Sequence, residues 1–332
     1  LAPNSQTLKK DPSKRPDVTI VIPSYRSERT LGSVLERLAG EAPSAVGEIL
    51  VVESGDSSAV AEICGRFPSV RLMTSPGRLS PGAARNRGAR SASGDYLLFL
   101  DADCVPAPGW GAGLTADLAT GRPVVSAAIG NGTPASLAGS VQFWLEFMDF
   151  SISSAGGPRP FISSYCLLIR RDDFLAANGF PEDYFMGEDI IFSHRLGQGE
   201  IPLFFSTRWH VLHQNRTSFR LVLPHLYRLG WWSSRVRFAF PEIRGSFLRR
   251  SPVLIPILVP FRHARLCRRL FSSTRPAWHT KIILALLAWP ALTFWCTGFM
   301  KGMIQARRSE KRRPANGSHA EPPPSACPQK KE

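Results

Sequence analysis

The sequence predicts an α/β fold, a mostly parallel sheet flanked by helices, that continues into a basic helical region carrying apolar segments. Three observations lead there. Up to about residue 110, short apolar runs alternate with stretches whose apolar residues recur at helical spacing. Those runs are continuously apolar, as strands are when crossover helices cover both faces of a parallel sheet. After about Ser218 the composition shifts to arginine and aromatic residues, punctuated by two charge-free segments.

The elements follow in order. Residues 1–16 are polar, lack the apolar core of a secretory signal, and are expected to form a disordered leader. "VTIVIP" is the first strand, ended by proline. "TLGSVLERLAG" places Leu31, Val34, Leu35 and Leu38 on one helical face and closes with a glycine. "EILVVE" is the second strand and residues 58–66 its helix; "VRLMT" is the third, "PGAARNRGARSA" the next helix, and "DYLLFL" the fourth strand. Beyond Trp110, "RPVVSAAIG" and "YCLLIR" read as further strands and residues 136–148, 171–178 and 188–197 as helices. One catalytic-sized domain is thus expected over residues 17–217.

With 332 residues the chain can bury a full core, and its net charge of +15 points either to nucleic acid or to an anionic membrane surface. The distribution favours the membrane. Between Arg262 and Arg313 the basic residues crowd around apolar segments, as they do on a cytoplasmic leaflet. "HLYRLGWWSSRVRFAF" resembles a basic interfacial helix. The apolar segment 252–261 is too short to span, whereas Ile282–Met300 runs 19 residues without a charge, a rise of roughly 28 Å and about one hydrocarbon core. Residues 218–306 are therefore expected to form a membrane-associated region, as a hairpin or with one segment lying in the interface, and 307–332 a disordered tail. Six scattered cysteines with no CxxC pair argue against zinc and disulfides and favour a reducing compartment. The expected location is the cell membrane, with the catalytic domain cytoplasmic.

The chemistry concentrates in "GDYLLFLDADCVP". Asp101 and Asp103 follow directly on a buried strand, at the carboxyl end where open α/β sheets bind ligands. Two such carboxylates repel each other unless a cation or proton sits between them, and hard cations choose oxygen ligands. Mn2+ or Mg2+ bridging a diphosphate follows. His213, in "VLHQNRTS", is a candidate to complete the metal shell, against a purely structural role. In "FPEDYFMGEDIIFSHRL", Glu188 and Asp189 open an amphipathic helix whose dipole favours carboxylates there, functional or not. Neither GxGxxG nor GxxxxGK[ST] occurs, which removes the main support for dinucleotide and P-loop readings.

The blocks "VTIVIPSYRSERTLGSVLERL", "EILVVESGDSS" and "SPGAARNRGARSASGDYLLFLDADCVP", followed by the "ED" pair, resemble the family 2 glycosyltransferases of GT-A fold over about residues 17–215. The resemblance implies that Pro23, Tyr25 and Glu28 line the base and ribose of a nucleotide sugar. It puts Glu53 and Asp56 in the family's aspartate-rich turn, with Glu53 in place of the commoner aspartate, and Arg85 and Asn86 near the diphosphate. Asp101 would contact donor and metal, Asp103 the metal. Asp189 would be the base that deprotonates the acceptor hydroxyl, with Glu188 supporting the acceptor and inversion as the outcome. No QxxRW block of the processive members is present, so transfer of a single sugar is expected. UDP is the first expectation for the donor, GDP the second, with a lipid-linked or other membrane-proximal acceptor and no nucleic acid. The rival readings are a catalytically silent nucleotide-sugar-binding membrane protein, a nucleotidyltransferase, and a basic nucleic-acid-binding protein.

Overall fold

The computed structural model describes residues 17–55, 57–249 and 252–311. The expected leader, Asp56 and the tail beyond residue 311 lie outside the described residues. Strands β1 (Val18–Ser24), β2 (Val46–Glu53), β3 (Val70–Thr74) and β4 (Tyr96–Leu100) alternate with helices α1 (Leu31–Glu41), α2 (Ser58–Gly65) and α3 (Pro81–Ser91), as the apolar pattern predicts. β1 pairs in parallel with β2 and β4, and β2 with β3. Local chemistry starts the helices. Ser57 and Ser80 accept hydrogen bonds from the N–H groups of Val60 and Ala83, and Pro81 opens α3 where no intrahelical donor is needed.

The second half closes the sheet differently. It comprises β5 (Cys104–Pro106), α4 (Trp110–Leu118), β6 (Val124–Asn131), α5 (Leu137–Phe147), the two-residue β7 (Gly157–Pro158), β8 (Cys166–Arg170), α6 (Arg171–Ala176), α7 (Glu188–Gln198) and β9 (Leu203–His213). The strand order is β3-β2-β1-β4-β8-β6-β9-β5, with β7 paired to β9. β8 enters antiparallel between β4 and β6, β6 and β9 run parallel, and β5 is antiparallel to β9. The pairing of β5 with β9 matters for function. It sets Cys104 opposite His213 and so brings the residue after Asp103 beside a histidine 109 positions along the chain.

The C-terminal region is α8 (Phe219–Ala239), two 3-10 turns (Ser246–Arg249 and Pro252–Ile257), α9 (Leu258–Ser272) and α10 (Trp278–Lys311). It is not an independent appendage. Val222, Leu226, Leu266, Leu270, Leu292 and Phe299 join one continuous core with β1, α1 and α5, each buried side chain stabilising the fold by about 1.5–3 kcal/mol. α8 departs from the expected interfacial helix. Trp231 and Trp232 are turned inward, 2% and 3% exposed, against α7 and α10 rather than toward a surface. α8 and α10 approach closely because glycines face backbone: a Cβ at Gly230 would stand 2.0 Å from the Trp295 carbonyl oxygen, and one at Gly298 2.0 Å from that of Tyr227. α10 is long and apolar enough to cross a membrane, and 44% of its most apolar window is buried within the protein.

Candidate active site

The carboxyl ends of β1, β2 and β4 open into a cleft of about 2210 Å³ whose far wall is formed by α8, α9 and α10. Pro23 and Tyr25 line it, as expected. The β1–β2 register sets Ser24 opposite Glu53, and the Ser24 hydroxyl donates to Glu53 Oε2 at 2.5 Å. Glu53 is 1% exposed, and its Oε1 is buried without a hydrogen-bond partner. Gly55 keeps room beside that oxygen, since a Cβ there would stand 3.0 Å from it and 3.2 Å from the Tyr25 ring. Glu53 itself is not among the residues that line the cleft, whereas its neighbours Ser54 and Tyr25 are. Arg78 reaches over Tyr25 at 4.3 Å and Phe185 at 5.2 Å, a cation–aromatic group at the donor end that the sequence reading did not contain.

Two residues expected at the donor lie beside the cleft and bond within the protein. Glu28 is exposed, outside the lining, and accepts from the Ser57 hydroxyl at 3.0 Å. Asn86 is equally outside the lining. Its amide donates to the Phe180 carbonyl at 2.8 Å and to Glu182 Oε1 at 2.9 Å, while its oxygen accepts from the Phe180 N–H at 2.9 Å. Asn86 thus ties α3 to the loop before α7.

Arg85, on the same helix, is buried in the cleft floor. Its Nη2 donates to Asp101 Oδ1 at 2.5 Å and its Nη1 to Glu188 Oε1 at 2.8 Å. Burial alone would weaken the guanidinium's hold on its proton, but Asp101 and Glu188 outweigh it and push its pKa up. Asp101 is pushed up to about 6 by burial, against the pull of Arg85 and with Asp103 adding to the rise. Glu188 lines the cleft as well, with one carboxylate oxygen held by Arg85.

Asp103 faces His213. Oδ2 of Asp103 lies 3.5 Å from Nε2 of His213, and Cys104 Sγ completes a group of three ligating atoms within 4.8 Å of one another. The Cys104 thiol is pushed well up, by burial and then by Asp103, so it stays neutral and packs as an apolar side chain. The histidine tautomer follows from its neighbours. Asn215 donates its amide N–H bonds to Asn131 Oδ1 at 2.9 Å and Thr133 Oγ1 at 3.1 Å, which leaves its Oδ1 as the acceptor 2.9 Å from His213 Nδ1. Nδ1 therefore donates to Asn215, and Nε2 is the ring nitrogen that faces the Asp103 carboxylate. An imidazole nitrogen, a carboxylate oxygen and a thiol sulfur gathered in this way fit a cation between them. Asp101 is outside this group, held by Arg85.

Asp189 opens α7 after Gly187, whose φ of 86° is a backbone conformation that suits glycine. Oδ1 accepts from the Ile190 N–H at 2.8 Å. Burial and then the neighbouring Glu188 raise the carboxyl to about 7. That is the range of a general base that works near neutrality. Tyr165 and the pair Glu146–His225, with Nε2 and Oε1 2.7 Å apart, also line the cleft; none was among the expected site residues. Glu146 lies within the α5 apolar run and His225 within α8, so only the packing of those helices reveals the pair.

Comparison with known proteins agrees with this arrangement. Residues 19–175 match the family described as Glycosyl transferase family 2. The chain is 25% identical over 228 residues to glycosyltransferase AglE of Haloferax volcanii, covering 66% of this chain and 73% of that protein. It is 26% identical over 226 residues to a pre-mycofactocin glycosyltransferase of Mycobacterium tuberculosis, spanning 63% of this chain and 45% of the relative. Among solved structures, the mannosyltransferase PcManGT of Pyrobaculum calidifontis, in complex with GDP-Man and Mn2+, superposes with a TM-score of 0.52 at 17% identity, covering 91% of this chain and 89% of that one. GalNAc-T7 with UDP, GalNAc and Mn2+ gives 0.51 at 17% identity, over 70% and 52%. These two structures establish the GT-A fold. With the mixed sheet, the cleft at its carboxyl edge and the match over residues 19–175, the chain carries a family 2 glycosyltransferase domain.

Proposed function

We propose that the chain transfers one glycosyl group from a nucleoside-diphosphate sugar to an acceptor hydroxyl, with inversion, at the cytoplasmic face of a membrane. The observation that carries this reading is the pair of potential metal ligands, Asp103 Oδ2 and His213 Nε2, 3.5 Å apart at the cleft, with the imidazole ring held by Asn215. Asp103 and His213 would hold Mn2+ or Mg2+, with Asp101 free to join if Arg85 releases it. A divalent cation there supplies positive charge for the donor's diphosphate oxygens. Tyr25 receives the base; UDP is the first donor to test and GDP the second. Asp189 takes the proton from the acceptor hydroxyl as its oxygen attacks the anomeric carbon, and the bond to the diphosphate breaks on the opposite face. Arg85 keeps the buried carboxylates Asp101 and Glu188 in place during that step.

Membrane contact is proposed side-on. α10 packs along α8, so an α10 that crossed a bilayer would draw Arg228, Arg235 and Arg237 of α8 with it. The outward residues Leu286, Trp289 and Phe294 instead form an apolar strip, exposed by 69%, 45% and 43%, that suits the headgroup boundary.

The test is binding of UDP- and GDP-sugars to the detergent-purified chain, with and without Mn2+, beside Asp103→Ala and His213→Ala. Metal-dependent binding of one donor class, lost in both variants, is the expected result. A folded protein that binds neither donor class would overturn the reading.

A further inference from the structure

The half of the cleft beyond the donor end has an unusual balance of charge. Among its lining residues from α8 onward are six arginines, at 228, 237, 244, 262, 265 and 268, and a single acid, Glu242. Arg265 is neutralised by Asp149 at 2.6 Å. Arg262 and Arg268 form no ion pair among the described residues; Asp149, the acid that acts on Arg262, is already shared by Arg265 at 2.6 Å and Arg269 at 3.9 Å. The Arg262 guanidinium lies on the Trp295 ring at 4.2 Å, and its Nε is buried without a hydrogen-bond partner. Arg237, close enough to repel it, is held in place by the carbonyl oxygens of Arg244 at 3.1 Å and Ser233 at 3.0 Å, not by an acid. Burial, then Arg237 and Arg265, bring Arg262 down to about 10, so it stays cationic at neutral pH. A guanidinium that lies over an indole keeps its N–H groups for other partners, and their fork matches two oxygens of a phosphate. Gathering these cations in one wall is costly without an anion, so the wall is built to receive one.

The same wall carries exposed apolar side chains. Phe261 on α9 and Phe247 in the preceding 3-10 turn line the cleft and are 71% and 64% exposed. They stand in the same C-terminal unit as the outward strip of α10. An anion-binding wall beside an open apolar rim suits an amphiphile with a phosphate head.

We propose that the acceptor is a lipid phosphate, its phosphate or diphosphate held by Arg237, Arg262 and Arg268 and its chain leaving the cleft past Phe247 and Phe261. The inference rests on the transferase reading and names the acceptor class for it. The acceptor hydroxyl belongs to a sugar carried on that phosphate, so the arginines hold the anionic end while Asp189 meets the hydroxyl.

The test uses the full chain with UDP, GDP and Mn2+ in excess, so that the donor site does not take up the probe. Farnesyl phosphate, farnesol and inorganic pyrophosphate are titrated by calorimetry into the wild type, Arg262→Met and Arg268→Met. Expected are tighter binding of farnesyl phosphate than of farnesol, by roughly tenfold or more, and a similar loss in each variant. Equal binding of farnesol and farnesyl phosphate overturns the phosphate clamp, as does unchanged affinity in both variants. Pyrophosphate binding as tightly as farnesyl phosphate overturns the lipid part and identifies a free anion as the ligand. Thermal melts report folding; if one methionine variant fails to fold, the other decides. Donor binding is read separately in the absence of the competing nucleotides, so loss of lipid-phosphate binding with intact donor binding refutes only this inference. Failure of donor binding in the wild type refutes the transferase reading instead.

Discussion

Replacing Asp189 by asparagine separates the cost of a functional carboxylate from its use. Burial and Glu188 raise Asp189 from 3.8 to about 7 in the folded protein. A folded pKa above the unfolded one means that ionisation opposes folding. The protonated form's contribution is fully present below pH 4 or so and is lost as the pH rises through about 7. At about 1.4 kcal/mol per pH unit the upper bound is roughly 4 kcal/mol, and water in the cleft beside Asp189 reduces this to about 1–2 kcal/mol. Asparagine keeps the size and the acceptor for the Ile190 N–H but carries no charge. The variant is therefore expected to match the wild type at pH 4 and to melt roughly 2–4 °C higher at pH 8. Over the same range its transferase rate should fall by about a hundredfold or more, the usual worth of a general base. Paired melting curves at the two pH values, with initial rates on the same samples, make the measurement. A variant no more stable than wild type at pH 8, or one that keeps its rate, would refute the assignment of Asp189 as a buried, ionisable base.

Other expectations can be checked on the same protein. The wild-type rate at limiting substrate should rise with pH through about 7 as Asp189 ionises, and a flat profile between pH 5.5 and 8 would contradict this. Arg85→Met strands Asp101 and Glu188 without a counter-charge and should cost about 3–5 kcal/mol in chemical denaturation; adding Asp101→Asn should restore part of it. Asn215→Leu does not touch the proposed ion but releases the His213 tautomer, and calorimetry with Mn2+ should show affinity roughly 10–100-fold weaker. Gly298→Leu pushes a side chain into the Tyr227 carbonyl and should destabilise the α8–α10 pair by more than about 2 kcal/mol, seen as early loss of protection in hydrogen exchange.

The N-terminal half of the sheet was legible because its strands are local and uniform. Each apolar run from β1 to β4 is followed or preceded by a helix, two of them with a capping serine, and parallel pairing needs no partner outside that repeat. β9 was not legible in the same way. Its eleven residues, LFFSTRWHVLH, mix buried and partly exposed positions, and its partners β5, β6 and β7 lie far back in the chain. The acidic residues divide by the same logic. Asp101, Asp103 and Asp189 stand at the ends of elements whose geometry the sequence defines, and the structure puts all three on the cleft. Glu28 and Asn86 were read from residue type within a motif, yet their side chains are taken up by Ser57 and by the Phe180 backbone. Motif spacing reports where the backbone goes; which partner a long polar side chain chooses depends on tertiary neighbours.

The C-terminal helices bear on how membrane attachment can be tested at all. Residues 218–306 read as a membrane-associated region, so deletion would be the natural experiment. The structure argues against using it. Val222, Leu226, Leu266 and Phe299 share a core with the catalytic sheet, and α8 supplies His225, Arg228 and Trp232 to the cleft wall. A truncated chain would expose that core and lose the acceptor side together, and its inactivity on any acceptor would say nothing about membranes. Substitution on the exposed face avoids the confusion, with Trp289 kept because its ring meets His263 of α9 edge-on at 4.9 Å. Leu286→Ser and Phe294→Ser combined remove apolar area without opening the core. The double variant should keep its melting temperature within about 2 °C and its donor binding, since exposed side chains contribute little to folding. Its partition to anionic vesicles should fall by more than about tenfold, because each lost side chain forfeits 1–2 kcal/mol of burial in the headgroup boundary. Unchanged partition with unchanged stability would remove the strip as a membrane contact and leave the arginines of the cleft rim to account for any binding to vesicles.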